Sequence, residues 1–187
     1  MAINKHEVFS IKKARRLTRW VRRILQNPNK ILRPYVRSGM NVLDFGCGPG
    51  FFTIEAAKLA GEEGRVIAVD LQQGMLDLLA DKIKGSELEK RIILRKCEDN
   101  KIGVTEGVDV FLAIHVVHEV PDKALFFMAV KNILKPKGIF YVSEPKGRVD
   151  KAEFEEMIMI AKKNGFKIKD QPKIYLDRAI VMSHDGA

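Results

Sequence analysis

The chain has 187 residues, 46% of them hydrophobic, with a formal net charge of +9 and two cysteines. That is enough for one domain with a real core and too little for two. No apolar run approaches the roughly 20 residues that span a bilayer, the first residues lack an apolar signal core, and two cysteines make neither a disulfide framework nor a zinc spacing, so a cytoplasmic protein with reduced thiols is expected.

The charge is unevenly placed. Residues 1–40 hold eleven Lys or Arg and a single acid, Glu7, for +10, which leaves −1 for the remainder. Within that segment Ile11, Ala14, Leu17, Val21 and Leu25 recur at three- and four-residue steps, so a helix is expected over 10–26, with Arg15, Arg16, Arg19 and Arg22 on its outer face. Three readings stay open for it: a solvated face of a docked helix, a patch for RNA, or a surface for anionic substrates or membranes. Trp20 and Tyr35 could stack a base or pack on the core.

A strand over 41–44 then runs into Asp44-Phe45-Gly46-Cys47-Gly48-Pro49-Gly50. Alternate glycines let a backbone turn sharply and approach a ligand, and an acid beside the turn suits a cation better than a phosphate. A pyrophosphate fingerprint would need glycine at Phe51. Strands follow at 65–70, 91–96, 108–114 and 138–143, alternating with helices at 51–60, 73–84, 122–134 and 151–163. Such alternation implies a parallel sheet covered by helices on both faces. Asp70 ends the second strand, where an acid can take both hydroxyls of a ribose or simply cap the helix that follows. The runs Phe166–Lys169 and Ala179–Met182 form a closing pair.

The loop, Asp70 and Leu134-Lys135-Pro136-Lys137-Gly138 before the fifth strand resemble the class I S-adenosylmethionine-dependent methyltransferases over roughly residues 40–145, on the side of the branch acting on small molecules and quinone precursors. The resemblance implies an α/β, doubly wound, mostly parallel seven-stranded sheet with an antiparallel last strand. It implies one domain over 1–187: a basic segment 1–40 roofing the site, a cofactor core 41–145, and a C-terminal helix and strand pair 146–187. It places S-adenosyl-L-methionine on Asp44, Gly46, Cys47, Gly48, Gly50, Asp70, Leu71 and Ala113, with Cys97 where an adenine-binding acid usually sits and Glu98 or Asp99 as substitutes. The plain alternative for those two acids is a solvated loop.

Ligands of doubly wound sheets bind outside the carboxyl ends of the strands, so Ala113-Ile114-His115-Val116-Val117-His118-Glu119 should face the methyl acceptor. His115 and His118 are the candidate catalytic residues, since imidazole is poised to take a proton near neutral pH. With Glu119 they do not make a convincing metal site. The Asn/Asp-Pro-Pro-aromatic tetrapeptide of amino-base methylators is absent at this point. Phe9 and Tyr35 are either roof residues or core aromatics, the second being favoured. The expected function is in-line methyl transfer to a small-molecule acceptor. RNA methylation through the basic segment is the first alternative and S-adenosylmethionine binding without turnover the second; oligomeric state is not legible.

Overall fold

The computed structural model describes residues 26–98 and 101–184. Its elements are α1 (Pro28–Leu32), β1 (Asn41–Phe45), α2 (Thr53–Ala60), β2 (Arg65–Asp70), α3 (Gln73–Ile83), β3 (Ile92–Lys96), β4 (Val108–Ile114), α4 (Lys123–Ile133), β5 (Leu134–Pro145), α5 (Lys151–Lys163), β6 (Phe166–Asp170) and β7 (Asp177–His184). Short 3₁₀ turns lie at Glu87–Lys90 and Val117–Glu119. The helix expected over 10–26, with Trp20 and Phe9, lies outside the described residues.

The strands form one seven-stranded sheet in the order β3-β2-β1-β4-β5-β7-β6. β1 pairs in parallel with β2 and β4, β2 with β3, and β4 with β5, whereas β7 runs antiparallel to both of its neighbours. The order reverses between β1 and β4, and a switch point of this kind is where doubly wound sheets bind ligands, beyond the carboxyl ends of the strands. Central strands buried on both faces carry near-continuous apolar runs. β1 is buried at Val42, Leu43 and Asp44, and β4 at every residue except Asp109.

Two apolar layers sandwich the sheet. One gathers Phe111, Phe126, Phe127, Phe140 and Phe166 beneath α4 and α5, with Phe111 and Phe140 edge to face at 5.3 Å. The other packs α1, α2 and α3 through Leu32, Ala56, Leu79 and Tyr141. Tyr35 belongs to this second layer: its ring lies 5.4 Å from that of Tyr141, and its hydroxyl donates to Asp170 at 2.7 Å. It anchors the N-terminal segment to the sheet face, which fits the core-aromatic reading.

β5 is longer than its expected 138–143. Val108 pairs with Leu134 but Val110 already pairs with Ile139, so residues 135–138 bulge out of the ladder, with Lys137 in the left-handed region at φ 66. The excursion is held by Lys135, whose Nζ donates to Asp109 at 2.8 Å. A tight joint also lies between α2 and β2, where a Cβ on Gly64 would collide with the backbone oxygen of Ala60 and come within 2.8 Å of that of Met40. Backbone cannot yield as a side-chain tip does, so Gly64→Ala is expected to destabilise the fold by about 2 kcal/mol, read as a lower denaturation midpoint at unchanged m.

Candidate active site

The loop after β1 is locked to its neighbours by backbone bonds. Gly46 and Cys47 both donate to the Val69 carbonyl, at 2.9 and 3.0 Å. Gly46 sits at φ 70, and a Cβ there would meet Val116 at 2.6 Å; Val116, after β4, thus closes over the loop. Gly48, at φ 52, faces open space. Its N–H donates to Asp70 Oδ2 at 2.8 Å, while Asp70 Oδ1 accepts from Gln72 N–H at 2.9 Å. Asp70 is not the cap of α3, whose N-cap is Gln72; it bonds the turn before that helix and staples the glycine loop. A carboxylate has about four lone-pair sites, so acceptor capacity remains for a ligand.

Asp44 is buried beneath the loop, and the Thr53 hydroxyl donates to it at 2.6 Å. Burial outweighs that bond and, with the Asp70 charge adding to it, pushes the Asp44 carboxyl up to about 7. Burial raises Asp70 as well, against the bonds from Gln72 and Gly48. Cys47 and Cys97 are both buried, and desolvation drives the Cys47 thiol up, away from thiolate chemistry. Leu71 is half-buried against the α4 layer, and the Ala113 side chain lies in the core of that layer.

The acceptor candidates separate into two clusters on opposite faces of the sheet. His115, in the left-handed region at φ 63, is tied down: its backbone N–H donates to the Ser143 carbonyl at 2.7 Å and its Nε2 donates to Asp177 Oδ2 at 2.9 Å. Gln26 and Ser143 donate to the same oxygen, at 2.7 and 3.0 Å. His118 sits in the 3₁₀ turn, where its Nδ1 donates to Glu144 Oε2 at 2.6 Å and its backbone N–H to Glu144 Oε1 at 3.2 Å. Its Nε2 is buried, has no hydrogen-bond partner among the described residues and lies 3.7 Å from Glu119 Oε1. Glu119 in turn meets Arg148 at 3.5 Å, and burial raises its carboxyl, with the Asp70 charge contributing. Val116, the residue before this turn, lies against Gly46, which places the turn beside the glycine loop.

Glu98 follows Cys97, whose N–H donates to the Asp70 carbonyl at 3.1 Å. Its carboxylate pairs with Lys101 at 3.2 Å, with both side chains about three-quarters exposed; Asp99 lies outside the described residues. Glu98→Ala is accordingly expected to change S-adenosylhomocysteine affinity less than threefold by calorimetry, within the range of exposed ion pairs. Among the described residues no three His, Cys, Asp or Glu side chains gather to hold a metal ion.

Residues 36–179 match the family model described as a methyltransferase domain. The chain belongs to that family. Its solved structural neighbours include a SAM-dependent methyltransferase from Aquifex aeolicus, with a TM-score of 0.84 at 25% identity over 94% of this chain and 98% of that one. Among curated relatives, the demethylmenaquinone methyltransferase of Lactobacillus johnsonii is 34% identical over 124 residues, which is 64% of this chain and 51% of that protein. The ribosomal protein L11 methyltransferase of Dictyoglomus turgidum is 27% identical over 140 residues, 74% of this chain and 42% of that protein. The chain thus spans about half the length of the curated relatives it matches.

The family's cofactor, S-adenosylmethionine, fits these residues. Gly48 leaves the loop open, Asp70 keeps lone pairs for ribose hydroxyls, and Asp44 offers a buried carboxylate to a cation. Glu144, Asp177, Ser143 and Gln26 went unnoticed in the sequence. An acid at the end of the apolar run Phe140-Tyr141-Val142-Ser143-Glu144 was the one available signal.

Proposed function

We propose that this methyltransferase-family chain transfers the methyl group of S-adenosylmethionine, in line, to a small neutral acceptor held beyond β4 and β5. The observation that carries this reading is the character of the crevice end: Asp44, Asp70 and Glu119 make it rich in carboxylates. Such a wall favours a cationic donor and repels a polyanion. The demethylmenaquinone methyltransferase relative, which by its name acts on a quinone precursor, supports the same class of acceptor.

The sulfonium supplies an activated methyl group, so the chain's task is mainly positioning. Reacting atoms held about 3–3.5 Å apart gain most of their acceleration from proximity. Gly46 and Val116 shape the floor, Asp70 fixes the loop, and Gln26, just ahead of α1, is tied to β7 through Asp177.

The test is transfer of labelled methyl from S-adenosylmethionine into a deproteinised host extract, followed by fractionation. Label is expected in the small-molecule or lipid fraction, with demethylmenaquinol as the first pure acceptor to try. Label in nuclease-sensitive RNA would overturn the proposal and transfer the substrate role to the basic segment 1–40.

A further inference from the structure

The two histidines after β4 are held in opposite ways, and this separates their roles. In His115 the Nε2 is consumed by Asp177. In His118 the Nδ1 is consumed by Glu144, a side chain only 1% exposed, and each Glu144 oxygen accepts a bond from His118. A carboxylate that accepts the Nδ1 proton fixes the ring plane and the tautomer, which leaves the lone pair of a neutral ring on Nε2. That nitrogen is buried and lacks a hydrogen-bond partner. An unmet buried acceptor costs about 1–3 kcal/mol, so a site that keeps one is suited to a ligand that donates to it.

We propose that Glu144 is a positioning residue that aims His118 Nε2 at the methyl acceptor, and that the acceptor is therefore a compound with an acidic hydroxyl, a phenol, hydroquinone or enol. This rests on the methyl-transfer reading above. The hydroxyl proton passes to Nε2, the acceptor oxygen or its conjugated ring carbon bonds the methyl, and the electron pair of the breaking carbon–sulfur bond stays on sulfur; where the new bond is to carbon, the ring C–H proton then passes through solvent to the oxygen and restores the hydroxyl. The imidazolium then returns its proton to water.

The charged groups facing the His118 ring are Glu144 from β5, Glu119 from the same turn, and Arg148 beyond β5, which engages Glu119. Glu119 completes a polar frame around the ring, and at 3.7 Å from Nε2 it is too far for a hydrogen bond. Among the described residues an incoming hydroxyl has no competing donor to displace.

The experiment is nitrogen-15 NMR of histidine-labelled full-length protein with S-adenosylhomocysteine at neutral pH; with four histidines in the chain, His118→Asn assigns the signal. In the wild-type protein the neutral form of the His118 ring is expected to carry its proton on Nδ1 and to leave Nε2 bare. Glu144→Gln, whose amide can donate to Nδ1, is expected to move the proton to Nε2, and Glu144→Asp to restore it. A proton on Nε2 in the wild-type protein overturns the assignment, and that measurement stands even if a variant fails to fold. So does a Glu144→Gln spectrum identical to wild type.

With demethylmenaquinol as acceptor, Glu144→Gln is expected to lower kcat about a hundredfold, the scale of a lost general base, with KM and S-adenosylhomocysteine affinity within threefold. Equal loss of affinity and turnover would mean a merely structural role and overturn the proposal. An intact tautomer pattern without turnover of any hydroxyl acceptor would count against the acidic-hydroxyl acceptor and against the function proposed above, while leaving the Glu144 geometry in place.

Discussion

Alanine at position 70 is expected to weaken S-adenosylhomocysteine binding by at least a hundredfold, about 3 kcal/mol, measured by calorimetry. Two losses combine. A carboxylate facing ribose hydroxyls forms charge-assisted bonds worth about 1.5–3 kcal/mol each. The same carboxylate also accepts from Gly48 N–H at 2.8 Å, so its removal frees the loop that the cofactor must lie against. Asp70→Asn should fall between wild type and alanine, since the amide oxygen can keep one of the two backbone bonds. Affinity unchanged within threefold in Asp70→Ala, at an unchanged melting temperature, would sink the ribose assignment.

The second large effect is on pH. Asp44 is pushed up to about 7 by burial, so below that value the free protein mostly holds it neutral. A ligand with a cationic ammonium beside it selects the ionised form. S-adenosylhomocysteine affinity is therefore expected to rise about tenfold per pH unit up to pH 7 and then flatten, with up to one proton released on binding. Calorimetry at pH 6 in buffers of different ionisation heat measures that proton directly. Asp44→Asn should bind weakly, with no such slope. A flat wild-type profile would remove Asp44 from the cofactor site.

The same shift has an opposite consequence for the free protein. A raised carboxyl binds more protons in the native than in the unfolded state between its ordinary value of 3.8 and about 7. Stability from this group is thus full below that window and declines as pH rises through it, by an amount on the order of 4 kcal/mol. Thermal melts of the ligand-free chain across that range report the sign, and cofactor should reverse it.

What could be read from the sequence was whatever the chain keeps local. Helix α5 falls on its expected 151–163 and β2 on 65–70, because glycines and caps punctuate them. The cofactor loop and Asp70 were legible for the same reason: a turn chemistry and an acid one strand later. The full length of β5 was not, since Pro136-Lys137-Gly138 reads as a turn and only the ladder to β4 shows the strand resuming on both sides. Nor were the partners of the two histidines. Glu144 lies 26 residues beyond His118, and Asp177 62 beyond His115. Each comes to its histidine through strand order, which the neighbouring residues do not encode.

The position of β7 bears on synthesis as well. It enters between β5 and β6 although it is the last strand of the described residues, so every earlier element except β6, which pairs with β7, can be made and docked while the outer side of β5 still lacks its pairing partner along Phe140–Pro145. An open edge flanked by the apolar Phe140-Tyr141-Val142 is a template for another chain. Ribosome-bound or prematurely ended products lacking residues 177–184 are therefore the aggregation-prone species.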